Sequence, residues 1–238
     1  MTAVHNTLAR YLVGLGDAEL RMILPKIAAL GLDLDLDQPK IRSWCEEGAA
    51  HGDVLATFVR AKFLSIGFLG PVDRASAITI LEGKTLADYL PAAYLLACLY
   101  SESAPNNLDG IEKSISLMHS VAEEKYPSAL RSLAFLLMDE KGVDPVSDRL
   151  VRQAAELDDP VALHWIAIRA LGESDKSGAD DAIELLLRAA GQEYAAACSM
   201  LADIYEHGRY GVQADALKAK RFGAKASELE PHSGEWRE

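Results

Sequence analysis

Residues 195–230, AAACSMLADIYEHGRYGVQADALKAKRFGAKASELE, decide the fold. Apolar residues recur at three and four positions on either side of the turn HGRYGVQAD, which is the period of two amphipathic helices in succession. Working backwards, the core LADIY around Ala202 has counterparts in IAIRA around Ala167, LAFLL around Ala134, LACLY around Ala97 and RAKFL around Ala61. Successive alanines are 35, 33, 37 and 36 residues apart, and another alanine stands five residues before each, at Ala197, Ala162, Ala129, Ala92 and Ala56. Alanine's helix propensity explains its abundance but not this register. A period in this range marks stacked helix pairs, and a methyl at each crossing lets backbones approach.

Every unit carries a second helical segment: ASAITILEGKTLAD, GIEKSISLMHSVAEE, SDRLVRQAAEL, DDAIELLLRAAG and DALKAKRFGAKASEL. Asp73, Asp109, Asp148, Asp181 and Asp215 fall near their starts, where a carboxylate caps free N–H groups and meets the positive helix end. The expected fold is all-α, a right-handed superhelical solenoid of antiparallel helix pairs. Its units are placed near 54–90, 91–126, 127–159, 160–194 and 195–230. Residues 1–38 form a helical head expected to cap the first complete unit, with a kink or break at Pro25. Residues 231–238 form a flexible tail carrying Trp236.

The period and residues resemble the Sel1-like repeats, a branch of the tetratricopeptide-like helical solenoids. The last unit carries the pattern most fully: Ala197, Leu201-Ala202, Tyr205, Gly208, Gly211-Val212, Asp215, Lys218-Ala219 and Lys225-Ala226. Phe222 stands where the family prefers tryptophan. WCEEGAAHGD, with Trp44, Ala49, Ala50 and Gly52, is similar to the second helix and exit turn of a unit, so the resemblance runs from residue 39 to 230. SESAPNNLDG and GESDKSGADD depart from it, lacking the glycine-rich turn. The resemblance implies a scaffold or adaptor for complexes, often in bacteria.

Of 238 residues, 36 are acidic and 24 basic, a formal charge of -12. That surface repels phosphate backbones and argues against nucleic acid as partner. It favours solubility or a basic protein partner. No run approaches 18 uninterrupted apolar residues and the first 20 have no leader pattern, so no membrane insertion is expected and the location is read as cytoplasmic, a mature exported form staying compatible. Cys45, Cys98 and Cys198 show no zinc or redox spacing.

Chemistry is sparse. No two of His5, His51, His119, His164, His207 and His232 have HExxH spacing. Asp33, Asp35 and Asp37 lead into Gln38-Pro39 and Trp44, without the glycine and glutamate of a calcium loop. His119, Ser120 and Glu123 on one helix do not face one another as a triad. No catalytic residue, metal or cofactor is assigned. A partner surface is. Positions three before and one after each first-helix alanine share a face, giving Phe58, Lys62, Tyr94, Cys98, Arg131, Phe135, His164, Ile168, Ser199 and Asp203. Phe58, Lys62, Tyr94, Arg131, Phe135, His164 and Asp203 are the assigned partner-binding residues, since aromatics and arginine anchor interfaces. Phe58, Phe135 and Ile168 equally fit packing between units, which leaves Tyr94, Arg131, His164 and Asp203 as the open positions. The partner is another protein, such as a toxin or effector bound by an inhibitor or immunity protein, or a signalling or secretion component bound by an adaptor. The competing class is an enzyme or small-ligand binder with its site assembled in the solenoid groove.

Overall fold

The computed structural model describes residues 18–32, 37–68, 70–103, 108–172 and 179–229. The tail with Trp236, the first head segment NTLARYLVGL, and Asp33 and Asp35 lie outside the described residues. Among the described residues the chain is all helical, with no strand. The helices are α1 (Ala18–Ala29), α2 (Gln38–Ala50), α3 (Val54–Ile66), α4 (Arg74–Leu81), α5 (Leu90–Ser103), α6 (Leu108–Glu123), α7 (Pro127–Lys141), α8 (Pro145–Glu156), α9 (Pro160–Gly172), α10 (Ala179–Gly191), α11 (Ala195–His207) and α12 (Ala216–Leu229). They fall into two compact units, one of residues 25–136 and one of residues 1–24 with 137–238.

The alanines form the packing seam. Ala56, Ala92, Ala129, Ala162 and Ala197 are all essentially without exposed surface, as are Ala61, Ala97, Ala134 and Ala167. Ala202 in the last unit is half-buried. Leu, Ile and Phe side chains such as Phe63, Leu163, Leu186, Leu201 and Ile204 fill the volume around them. A fully buried side chain of this size contributes about 1.5–3 kcal/mol.

The turn from one unit to the next is built the same way four times. Gly52, Lys125, Asp158 and Glu193 adopt left-handed backbone, with φ of 76°, 57°, 61° and 61°. Their N–H groups donate to Ala49, Ala122, Ala155 and Ala190, at 3.1, 2.9, 3.0 and 3.1 Å. The next residues, Asp53, Tyr126, Asp159 and Tyr194, donate to Gly48, Val121, Ala154 and Ala189, at 2.8, 3.3, 2.9 and 3.3 Å. This is the paired-bond ending that satisfies orphan carbonyls at a helix C-terminus. The residue closing it also opens the following helix. Asp53 and Asp159 do so with a side-chain cap, Oδ1 accepting from Ala56 N at 2.7 Å and Ala162 N at 2.8 Å. At the first of these turns a Cβ on Gly48 would stand 2.4 Å from that of Ala56, so only glycine permits the approach of α2 to α3.

Within units, the expected aspartate caps hold at two positions. Asp73 accepts from Ser76 N at 3.0 Å, and Asp215 from Leu217 N and Lys218 N at 3.1 and 3.0 Å. Asp109, Asp148 and Asp181 lie inside the first turn of their helices instead. The cap of α8 is Asp144, whose Oδ1 accepts from Val146 N at 2.9 Å and Ser147 N at 2.8 Å, while Ser147 Oγ accepts from Asp144 N. That reciprocal box satisfies the helix's free donors and leaves Asp148 to pair with arginines.

α1 runs through Pro25 as one helix. Its residues up to Leu24 group with residues 137–238 and those from Pro25 with residues 25–136.

Candidate partner-binding surface

The predicted stripe grades from covered to open. In the unit of residues 25–136, Phe58 is fully buried and Lys62 and Tyr94 are buried, while Cys98, Arg131 and Phe135 are half-buried. In the other unit His164 and Asp203 are half-buried and Ser199 is exposed. Ile168 is 45% exposed. Phe58 is an interior position, and Lys62 and Tyr94, 7% and 8% exposed, present little surface to a partner in this conformation.

The covering agent is an aromatic residue at the opening of the next helix pair. Phe58 meets Tyr89 edge-on at 5.2 Å, Tyr94 meets Tyr126 at 5.5 Å, and His164 meets Tyr194 edge-on at 5.2 Å. Such edge and tilted pairs satisfy the ring quadrupoles and are worth about 0.5–1.5 kcal/mol beyond area burial. Tyr94 is further held by its hydroxyl, 3.0 Å from Ser132 Oγ. The signal was present in the sequence: Tyr89, Tyr126 and Tyr194 each stand three residues before a register alanine. Three positions of the stripe, Phe58, Tyr94 and His164, thus make ring contacts with the next helix pair.

What stays accessible lies on α9 and α11. His164 is deprived of water by burial, which pushes its imidazole below the ordinary histidine value. Asp203 Oδ2 receives Arg209 Nη1 at 3.0 Å, and Oδ1 lies 3.2 Å from His207 Nδ1. These are surface pairs, worth little to stability, and they leave a mixed-charge patch beside exposed Ser199. A second cluster was not anticipated. Arg169 lies 4.9 Å over the Trp165 ring and donates from Nη1 to Asp148 Oδ1 at 2.7 Å. Arg152 Nε donates to Asp148 Oδ2 at 2.7 Å, and that bond leads in holding the carboxyl below its usual range, with Arg169 assisting. The i, i+4 spacing of Trp165 and Arg169 was the available cue.

Among the described residues no three His, Cys, Asp or Glu side chains converge as a metal site, and no helix is long and apolar enough to cross a membrane.

Paired helices at a 33–37-residue period, with an alanine seam and repeated exit turns, define a repeat architecture. Compared with solved structures, the chain superposes on a Sel1 repeat protein from Oxalobacter formigenes with a TM-score of 0.64 and 18% identity, over 92% of this chain and 89% of that one. The fold is that of a Sel1-like repeat protein. A protective antigen of uropathogenic Escherichia coli strains displaying an SLR fold matches with a TM-score of 0.53 and 19% identity, over 90% of this chain. The match spans 46% of that antigen. No family model and no curated protein sequence matches the chain. The Sel1-like likeness therefore rests on architecture, and the residues above carry any statement about binding.

Proposed function

We propose that this chain is a protein-binding module that engages its partner through the first-helix surface of α9 and α11. The observation that supports this most is the open register there: Ile168 is 45% exposed, on the same helix as half-buried His164 and Trp165. An exposed apolar side chain one helical turn from His164 and Trp165, in a unit that also carries paired surface charges, has the make-up of an interface centre with a polar rim. The formal charge of -12 favours a basic partner. Two roles use such a surface: an inhibitor of the immunity type, covering a cationic toxin, and an adaptor for a signalling or secretion complex. The Sel1-like fold agrees with both.

The test is capture from native host lysate at low and moderate salt, with wild type beside Ile168→Glu and His164→Ala. One stoichiometric protein held by wild type and lost from both variants supports the reading. Loss at moderate salt would support a basic partner. Capture unaffected by either substitution would move the site elsewhere, and no capture at either salt would favour the ligand-binding class.

A further inference from the structure

The head helix makes a bond pattern that ordinary capping does not require. Arg21 Nη1 donates to Gln192 Oε1 at 2.6 Å and to the Gln192 carbonyl at 3.2 Å, across 171 residues of chain. Gln192 is in turn fixed by its own amide, since Nε2 donates to the Asp158 carbonyl. That bond sets which way the amide points, leaving Oε1 as the acceptor toward Arg21. Asp158 and Gln192 belong to successive exit turns, so the bonded series Arg21–Gln192–Asp158 spans both of them. Around Arg21, Leu20 and Ile23 have almost no exposed surface, and Glu19 is also buried. The segment Leu20-Arg21-x-Ile23 thus joins two buried apolar side chains to an arginine that is bonded to the repeat at Gln192.

We propose that residues 18–24 are an internal ligand for the unit of residues 137–238, and that this chain's partner presents an arginine-bearing amphipathic helix that displaces them. The proposal rests on the protein-binding reading above and names the chemistry of the partner. A tethered segment competes at an effective concentration that reaches millimolar. An outside helix wins only where its affinity exceeds that of the internal copy, so the latch sets a threshold for binding.

The probe is a fluorescein-labelled synthetic peptide of residues 1–29, titrated by anisotropy against the full chain. Wild type is compared with full-length Leu20→Asp/Ile23→Asp, in which the internal copy is loosened; circular dichroism checks the helix content of each. Should that pair unfold, full-length Arg21→Glu serves as the second opened chain. The opened chain is expected to bind the peptide at least tenfold more tightly than wild type. Arg21→Glu in the peptide, or Gln192→Ala in the opened chain, should cost at least fivefold. Equal uptake by wild type and a folded opened chain, or uptake indifferent to Arg21 and Gln192, overturns the internal-ligand proposal. The two readings fail separately. A partner captured equally by wild type and opened chain leaves protein binding standing and overturns displacement. Peptide uptake without any captured partner supports the internal ligand and counts against the wider reading.

Discussion

Lys225 Nζ donates to the carbonyl of Ala190 at 2.7 Å, joining α12 to the last turn of α10. Arg188 on α10 does the same to α8, with Nη2 3.1 Å from the Ala155 carbonyl. Each cation stands directly before a small-residue position, Ala189 or Ala226, and reaches the end of the preceding second helix. There it adds a second bond to a carbonyl that already accepts from the exit turn, Glu193 N at 3.1 Å or Asp158 N at 3.0 Å, at the negative end of the helix dipole. Lys225→Met keeps the stem and removes the donor. It should lower stability by about 1 kcal/mol, which for a chain of this size is a fall in Tm of about 2–4 °C. Lys220→Met, at an exposed position of the same helix, is the matched control and should leave the melt unchanged. Equal shifts for both would show that the charge, not the bond, matters.

Lys125 and Glu193 hold left-handed backbone at exit turns where Gly52 performs the same task. A side chain there crowds the following carbonyl, at a cost of about 1–2 kcal/mol. Glycine removes that strain but adds freedom to the unfolded chain. Lys125→Gly and Glu193→Gly should each therefore raise stability by about 0.5–1 kcal/mol, measured as a shift in urea midpoint at constant slope. Lying in separate compact units, the two gains should add. Asp158→Gly should gain less, because Asp158 Oδ1 also holds Arg188 Nη2 at 2.6 Å.

These turns show which parts of the fold the sequence discloses. The alanine seam is legible because close helix packing tolerates few residue types, so the constraint is written at every period. The exit turns are partly hidden, since lysine, aspartate and glutamate stand at three positions where glycine would advertise a left-handed residue. The stripe falls on the first helix of each pair, yet Phe58 and Tyr94 are roofed by Tyr89 and Tyr126 from the next pair. Periodicity assigns a face to a helix but does not say what covers it. Arg21 and Gln192 are beyond such reading altogether, because a bond across 171 residues leaves no local spacing to detect.

Cys45 is fully buried on α2, and burial pushes its thiol up to about 12 from 9.0. The unfolded chain loses this proton first as pH rises. Between about 9 and 12 the unfolded state then binds fewer protons than the native state, so stability falls with pH. The neutral thiol's contribution is complete below 9 and is lost progressively up to the folded value. Cys45→Ala should flatten the alkaline limb of a stability–pH curve over that window, with other titrating groups cancelling in the comparison. Thiolate is also the reactive form. At pH 8 the native protein should resist iodoacetamide at Cys45 and at Cys198, whose thiol burial likewise raises, and urea should expose both to labelling within the same incubation.

His164 tests the aromatic roof directly. Its imidazole is held below 6.5 by loss of water, and the Tyr194 ring standing edge-on at 5.2 Å is part of what excludes that water. As pH falls below 6.5 the unfolded chain takes up the proton before the folded one does. The native advantage of the neutral ring, complete above 6.5, is then lost as pH drops through the folded value. Tyr194→Ala opens the roof, so the histidine's titration, followed by its ring-proton NMR signal, should move up toward 6.5. The acid limb of stability attributable to His164 should shrink with it. Tyr126→Ala, which unroofs Tyr94 in the other compact unit, should leave the His164 titration where it is. If Tyr194→Ala left the midpoint unchanged, the desolvation would have to come from the packing of α9 itself. The recurring aromatic would then be a purely mechanical joint between units, and the depressed titration would carry no information about how open the α9–α11 surface is.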